Sequence, residues 1–298
     1  MDIVIAVRST PLFGTAPVAA ILLSLAAVAA ADPLSRADSL YALRAMGAEG
    51  HRAKPQPIAA AIAAYSEIAA THPRELAAQW RLLRALFFEA QYTDRSAEER
   101  KRLFRQARAR AESAVKFAPD VCGGERLWTT GTRAELAGHC DPADAARLYF
   151  WSAIAWAQWG RENGALAVLR SGLASRLFAY GTRVIELDPE CEQGGGLRLL
   201  SGLHGRLPKI PFVSGFVRRD QALPLAAQAL ALDPAHPGNR LLYARTLLRT
   251  EPHRRAEALA MLERLAAEKP DGVERVERSD LRRRASEALA AQMSAEAP

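Results

Sequence analysis

β-branched residues thin out after residue 31, and aromatics make up only 7% of the chain. Strands draw on both classes, so an extended β-architecture has little to build on. Lysine is also scarce. Only Lys54, Lys101, Lys116, Lys209 and Lys269 occur, so the net charge of +7 is carried by arginine. The basic clusters Lys101-Arg102, Arg105, Arg108, Arg110 and Arg282-Arg283-Arg284 are mixed with acids at helical spacing. That pattern reads as solvated helix faces rather than a nucleic-acid footprint. Past residue 31 no apolar run is long enough to span a bilayer.

Chemical motifs are equally thin. The six histidines (His51, His72, His139, His204, His236 and His253) form no HExxH and pair with no nucleophile motif. His72, His236 and His253 sit beside helix stops. Gly194-Gly195-Gly196 has no Gly-Lys-Ser/Thr after it and no strand before it, so it is not a phosphate loop. A zinc site on Cys122, His139 and Cys140 lacks ligand spacing. These absences predict no catalytic residues, no metal and no cofactor. The one enzymatic rival is a hydrolase assembled from scattered residues such as His204 and Asp220.

What is abundant is Ala and Leu, with 49% hydrophobic content overall. That is enough to bury a core, and these residues lose little freedom in a helix. The first 31 residues stand apart. Arg8 is their only basic residue, an apolar run covers Val18 to Val28, and Ala29-Ala30-Ala31 precede Asp32-Pro33. This reads as a secretory signal over 1–31, placing the mature 32–298 in the periplasm; an uncleaved amino-terminal anchor is the alternative. An exported chain tolerates disulfides. Cys122 and Cys140 bracket a Gly-rich connection, expected to be non-helical, and are predicted to bridge. That leaves Cys191 as a buried structural thiol.

Helical periodicity fills the mature chain. Ile58, Ala61, Ile62, Tyr65, Ile68 and Ala69 form an apolar stripe that stops at His72-Pro73. Further helices are expected to stop at Ala118-Pro119, Asp188-Pro189, Asp233-Pro234 and Lys269-Pro270, since proline cannot continue a helix. The prolines are 46, 70, 45 and 36 residues apart. The last interval approaches the 34-residue tetratricopeptide unit, and the longer ones read as units with insertions. Counting back from Pro73, Pro119, Pro234 and Pro270, small or core residues recur at matching positions: Ala61 and Tyr65, Ala107 and Ala114, Ala222 and Ala229, Ala258 and Leu262. The expected fold is therefore all-α: a single-domain, tetratricopeptide-like array of helical hairpins, an α-solenoid.

Two segments stand out as candidate sites. Tyr149, Phe150, Trp151, Trp156 and Trp159 hold five of the chain's aromatics within one helix, spread around its circumference. Core packing and a cavity or partner face are both open readings. From Gly194 to Gly215, Gly202 and Gly205 are expected to let helices cross closely. Arg198 and His204 lie on the same segment, and Pro208–Gly215, with Phe212, is an apolar loop that either closes a hairpin or borders an opening.

Residues from about Ala145 to Leu265 resemble the T component of tripartite ATP-independent periplasmic (TRAP) transporters. The resemblance rests on Leu148-Tyr149-Phe150-Trp151 with Ala153, Ala157 and Gly160, and on Arg183 through Pro189. It continues in Gly194-Gly195, Arg198 and Gly202, then Pro208, Ser214-Gly215, Ala222, Ala229, Pro234, Asn239-Arg240-Leu241 and Tyr243-Ala244. It implies a helical accessory protein that docks with a periplasmic solute-binding subunit and handles an apolar ligand. It places Tyr149, Trp151, Trp156 and Phe212 near the cavity, with Trp159, Arg198 and His204 as further candidates. The alternative is a general envelope tetratricopeptide adaptor that assembles proteins without a small ligand. Nucleic acid is not an expected partner, and self-assembly is left open.

Overall fold

Helix starts in this chain are set by short polar caps and prolines. In the computed structural model, which describes residues 32–209 and 214–294, Asp32 caps α1 (Pro33–Ala42) by accepting from the Ser35 amide. The signal-peptide reading falls on residues 1–31, outside the described residues. Prolines also open α2 (Pro55–Thr71). α3 (Leu76–Tyr92) follows, and α4 (Ala97–Val121) starts on a reciprocal Ser96–Glu99 capping box. Two short helices come next, α5 (Glu125–Thr130) and α6 (Arg133–Ala137). Asp141 then caps α7 (Pro142–Asn163). The chain continues through α8 (Ala165–Arg170), α9 (Leu173–Leu187), α10 (Gly195–Arg206), α11 (Ala222–Leu232), α12 (Pro237–Thr250), α13 (Arg255–Ala267) and α14 (Arg275–Ser294).

No strand occurs among the described residues; the only β-contacts are two isolated bridges, Glu49 with Arg52 and Ala53 with Thr93. Each long helix packs on the next in sequence, and α7 also packs on both α3 and α9. The eight repeat positions read from the prolines are all buried. Ala61, Tyr65, Ala222, Ala229 and Leu262 expose nothing, and Ala107, Ala114 and Ala258 at most 5%. Small side chains at these crossings let neighbouring backbones approach, which is why the pattern recurs at matching points of successive hairpins.

Two expectations are corrected. α4 does not stop at Ala118-Pro119 but runs on to Val121. Pro119 lies in its last turn, where it removes only one backbone donor, and burial of Ala118 and Pro119 in the core outweighs that loss. The stretch between Cys122 and Cys140 is helical rather than open. It holds α5 and α6, the latter started by a Thr132–Glu135 capping box, and it buries Trp128 and Leu136. The Thr-x-x-Glu signature was there to be read. Cys122 and Cys140 are joined by a disulfide, and Cys191 is a free, buried thiol whose ionisation burial opposes.

Two large apolar clusters make up most of the core, one running from Ala37 to Cys191 and one from Ala226 to Ala285, with a small third on Ala90, Leu103 and Phe104. α14 belongs to both large clusters. Its Val276 is fully buried in the first cluster and its Ala285 in the second. Beside Val276, Glu277 accepts from Arg44 at 2.8 Å, and Arg275 donates to the Ala45 carbonyl at 2.5 Å. The Arg44 guanidinium is almost fully buried and stacks on the Tyr41 ring at 4.4 Å. The helical array therefore curls until its last helix meets its first hairpin.

Candidate functional site

α10 enters the fold through an unusual backbone. Glu192, Gln193 and Gly194 are all left-handed, with φ of 49°, 51° and 84°. Two of these are not glycine, so the turn is strained unless something holds it. Arg198 holds it. Its guanidinium donates to the Glu192 carbonyl at 2.6 Å, the Gln193 carbonyl at 2.7 Å and Asn239 Oδ1 at 2.7 Å. Asn239 exposes nothing, and its amide donates to the carbonyls of Ala229 at 2.7 Å, Asp233 at 3.0 Å and Gln193 at 3.2 Å. One arginine and one asparagine thus tie the α10 turn, the end of α11 and the start of α12 together. Burial lowers the Arg198 pKa to about 10, which leaves it charged at neutral pH.

Once α10 is in place, it forms one wall of a cleft of about 440 Å³. Phe150 and Ile154 of α7 and Leu177 of α9 face Leu199 and Leu203 of α10. Gly195 lets α10 approach Phe150: a Cβ there would lie 2.6 Å from that ring. Gly202 was expected to serve a helix crossing, but it borders the cleft, where a Cβ would meet nothing within 4 Å. Gly205 does sit at a crossing, against Ala222 and the Arg249 guanidinium. Ala157, Leu207, Arg198, Arg206 and Arg284 complete the lining.

The sequence-derived candidates disperse around this cleft. Tyr149 lies in the core, stacked on Trp128 at 4.3 Å and donating to the Trp128 carbonyl. Trp151 is buried, with its indole N–H donated to Glu192 at 3.1 Å. Trp156 is buried between the guanidinium groups of Arg108 at 4.1 Å and Arg176 at 4.3 Å; half-buried Trp159 shares Arg108. Arg108 is thus not a solvated face residue but a lid over two indoles, a contact worth roughly 0.5–1 kcal/mol each. Phe212 lies outside the described residues. Among the described candidates Arg198 lines the cleft, with Phe150 of the aromatic cluster and Gly202 of the Gly-rich segment beside it. Phe150 is visible in the sequence as part of the aromatic cluster and Arg284 only as part of a basic run, whereas Leu177 and Arg206 carry no signal of their own; their convergence is a product of tertiary packing.

Two histidines act as backbone acceptors. His204 is buried, and its Nδ1 accepts from the Arg218 amide at 3.2 Å; burial first and Arg218 second hold its pKa down. His236 caps α12 by accepting from the Asn239 amide. Its pKa is lowered from 6.5 to about 4, first by burial and then by Arg198. Above pH 6.5 both the folded and the unfolded imidazole are neutral. As pH falls from 6.5 towards 4, the unfolded chain binds the proton first, so stability declines, on the order of 2 kcal/mol allowing for partial solvent screening. We expect the urea midpoint to drop across that window and His236→Asn, which keeps a cap acceptor, to flatten the drop. Identical pH profiles for the two proteins would exclude His236 as the source.

Helix follows helix with buried small residues at repeated crossings, Ala222, Ala229 and Ala258 among them in the last hairpins. Residues 218–281 match the tetratricopeptide repeat family model. A comparison with curated proteins finds no match. The chain is an all-helical, tetratricopeptide-like array, a type of surface that in general mediates protein–protein contact. Among the described residues no group of three or more His, Cys, Asp or Glu side chains converges on a metal-sized site, and no helix is long and apolar enough to cross a membrane.

Proposed function

We propose that this protein is a non-enzymatic, periplasmic accessory subunit of a TRAP-type transporter. In this reading it holds a solute-binding subunit against its helical surface and takes an apolar ligand into the cleft beside α10, with residues 1–31 as the export signal. The observation that carries the reading is the cleft itself. All of its lining except Arg284 comes from the stretch that resembles the T component, and Arg198 and Gly202, two of the residues that carry the resemblance, line it. A tetratricopeptide-like array supports the docking role, since stacked hairpins offer a broad, preformed surface. The non-enzymatic reading is supported by the two residues of the hydrolase rival. His204 is engaged with a backbone amide, and exposed Asp220 is hydrogen-bonded to its neighbour Gln221.

Cross-linking in intact cells, followed by affinity capture and mass spectrometry, tests this. A solute-binding subunit is expected as the dominant partner. Other envelope proteins without it would favour the second reading, a general envelope adaptor, for which the repeat match over 218–281 is the supporting observation. Fractionation of the protein with the cytoplasm would defeat both. A turnover that His204→Ala abolishes would overturn the non-enzymatic assignment.

A further inference from the structure

The lining of the cleft beside α10 is divided by chemistry. Nine of its twelve residues are apolar or glycine, and the other three are Arg198, Arg206 and Arg284; no acid lines it. The arginines are not equivalent. Arg198 is consumed by the carbonyls of the left-handed turn and by Asn239. Arg284 shares the carboxylate of Asp280 with Arg283, at 2.9 and 2.5 Å, and Arg283 also pairs with Glu287, so Arg284 is a charge-balanced, ion-paired group. Arg206 is exposed at the rim, and the side-chain charges bearing on it are all cationic: Arg245, Arg249 and Arg284. Arg249 comes from α12 and packs against Gly205, one residue from Arg206. Its guanidinium donates to the Thr246 hydroxyl at 3.3 Å.

Like charges gathered at the edge of an apolar hollow repel one another, and a counter-charge arriving there is favoured by the same field. Although both side chains reach solvent, partial desolvation against the packed helices and then repulsion from neighbouring arginines lower the proton affinity of Arg206 and Arg249, yet arginine remains charged. The arrangement therefore has a direction. Phe150 and Leu203 are buried and Ile154 and Leu177 half-buried, whereas Arg206 is exposed and Arg284 half-buried, so the apolar side lies inward and the arginines towards solvent. A volume of about 440 Å³ sits low in the range of roughly 300–1,000 Å³ usual for small-molecule sites. That suits one alkyl chain better than the paired chains of a membrane lipid.

We infer that this cleft binds a single-chain amphipathic carboxylate, its tail against Phe150, Ile154, Leu177 and Leu203 and its head between Arg206 and Arg284. The inference deepens the ligand half of the proposed function. It does not depend on the transporter partner, because binding is read on the isolated protein.

Isothermal titration of the mature chain with decanoate, acetate and decyltrimethylammonium, each below its micellar concentration, tests it. Decanoate is expected to bind, with decyltrimethylammonium at least about tenfold weaker and acetate not measurable, because head and tail are both read. Arg206→Ala, at an exposed position, is expected to weaken decanoate by about tenfold and to reduce the loss of affinity on adding salt. Gly202→Phe points a ring into open space from a helix that gains by losing glycine, so it should abolish binding while the helical circular dichroism and melting curve are kept. Equal binding of the cationic amphiphile, or undiminished decanoate binding in a folded Gly202→Phe protein, would overturn the site. Co-sedimentation with anionic diacyl-lipid vesicles in preference to free decanoate would overturn the single-chain assignment. Failure of any of these leaves the capture of a solute-binding subunit untouched, and failure of that capture leaves these titrations untouched.

Discussion

Asn239→Ala is expected to lower unfolding stability by about 3–5 kcal/mol, read as a fall in urea midpoint. The fully buried amide donates to three carbonyls and accepts from Arg198. Alanine would leave the Ala229, Asp233 and Gln193 carbonyls short of a donor in a place water does not readily reach. It would also remove one of the anchors that fix the guanidinium. Asn239→Asp separates size from chemistry: the shape is kept and Arg198 gains a counter-charge, but an anion would face three carbonyl oxygens. It should be at least as damaging as alanine. Arg198→Met keeps the aliphatic stem and frees the left-handed turn at Glu192–Gly194, and we expect a loss of similar order. If Asn239→Ala stays within about 1 kcal/mol of wild type, the network is not what holds α10 to α11 and α12.

Breaking the Cys122–Cys140 bridge should cost about 3 kcal/mol in the chain-entropy account of a closed loop with a sequence separation of 18. The segment it spans contains two helices of 6 and 5 residues, far too short to persist alone. Their apolar payload is Trp128, stacked on Tyr149, and Leu136. Arg183 adds two hydrogen bonds from α9 to the carbonyls of Trp128 and Gly131. The double variant Cys122→Ser/Cys140→Ser should therefore show a lower urea midpoint and a weakened near-ultraviolet signal from the Trp128–Tyr149 stack, with helical content nearly unchanged. Cys191→Ala serves as the control for thiol loss without a bridge. A midpoint equal to wild type in the double variant would show that packing of Trp128 alone secures this segment.

The fold was legible where local rules act alone. Proline stops and small crossing residues depend on a few neighbouring positions, so Ala222, Ala229, Ala258 and Leu262 could be placed from their distance to the next proline. Pro119 misled because a proline in a final turn costs one bond, and that cost is weighed against burial that the sequence does not display. The helices α5 and α6 were hidden behind flanking glycines, though Thr132 and Glu135 spelled a cap. The cleft was less legible. Its aromatic-rich helix was visible, but which faces of Tyr149, Phe150, Trp151 and Trp156 would be covered depends on α9, α10 and α14 arriving from elsewhere in the chain. Arg206 and Arg284 are separated by a long stretch of sequence and meet only because the array curls.

That curling has a consequence for how the molecule comes apart. A linear stack of hairpins can peel from either end, because each unit leans only on its neighbours. Here Glu277 grips Arg44 across 233 residues of chain, and Val276 plugs into the apolar cluster of the opposite end. The clasp closes a loop of almost the whole described chain, so its loop-closure cost makes it a late event in folding. Once fastened, it denies the stack an end to fray from, and opening at one terminus should propagate to the other rather than stay local.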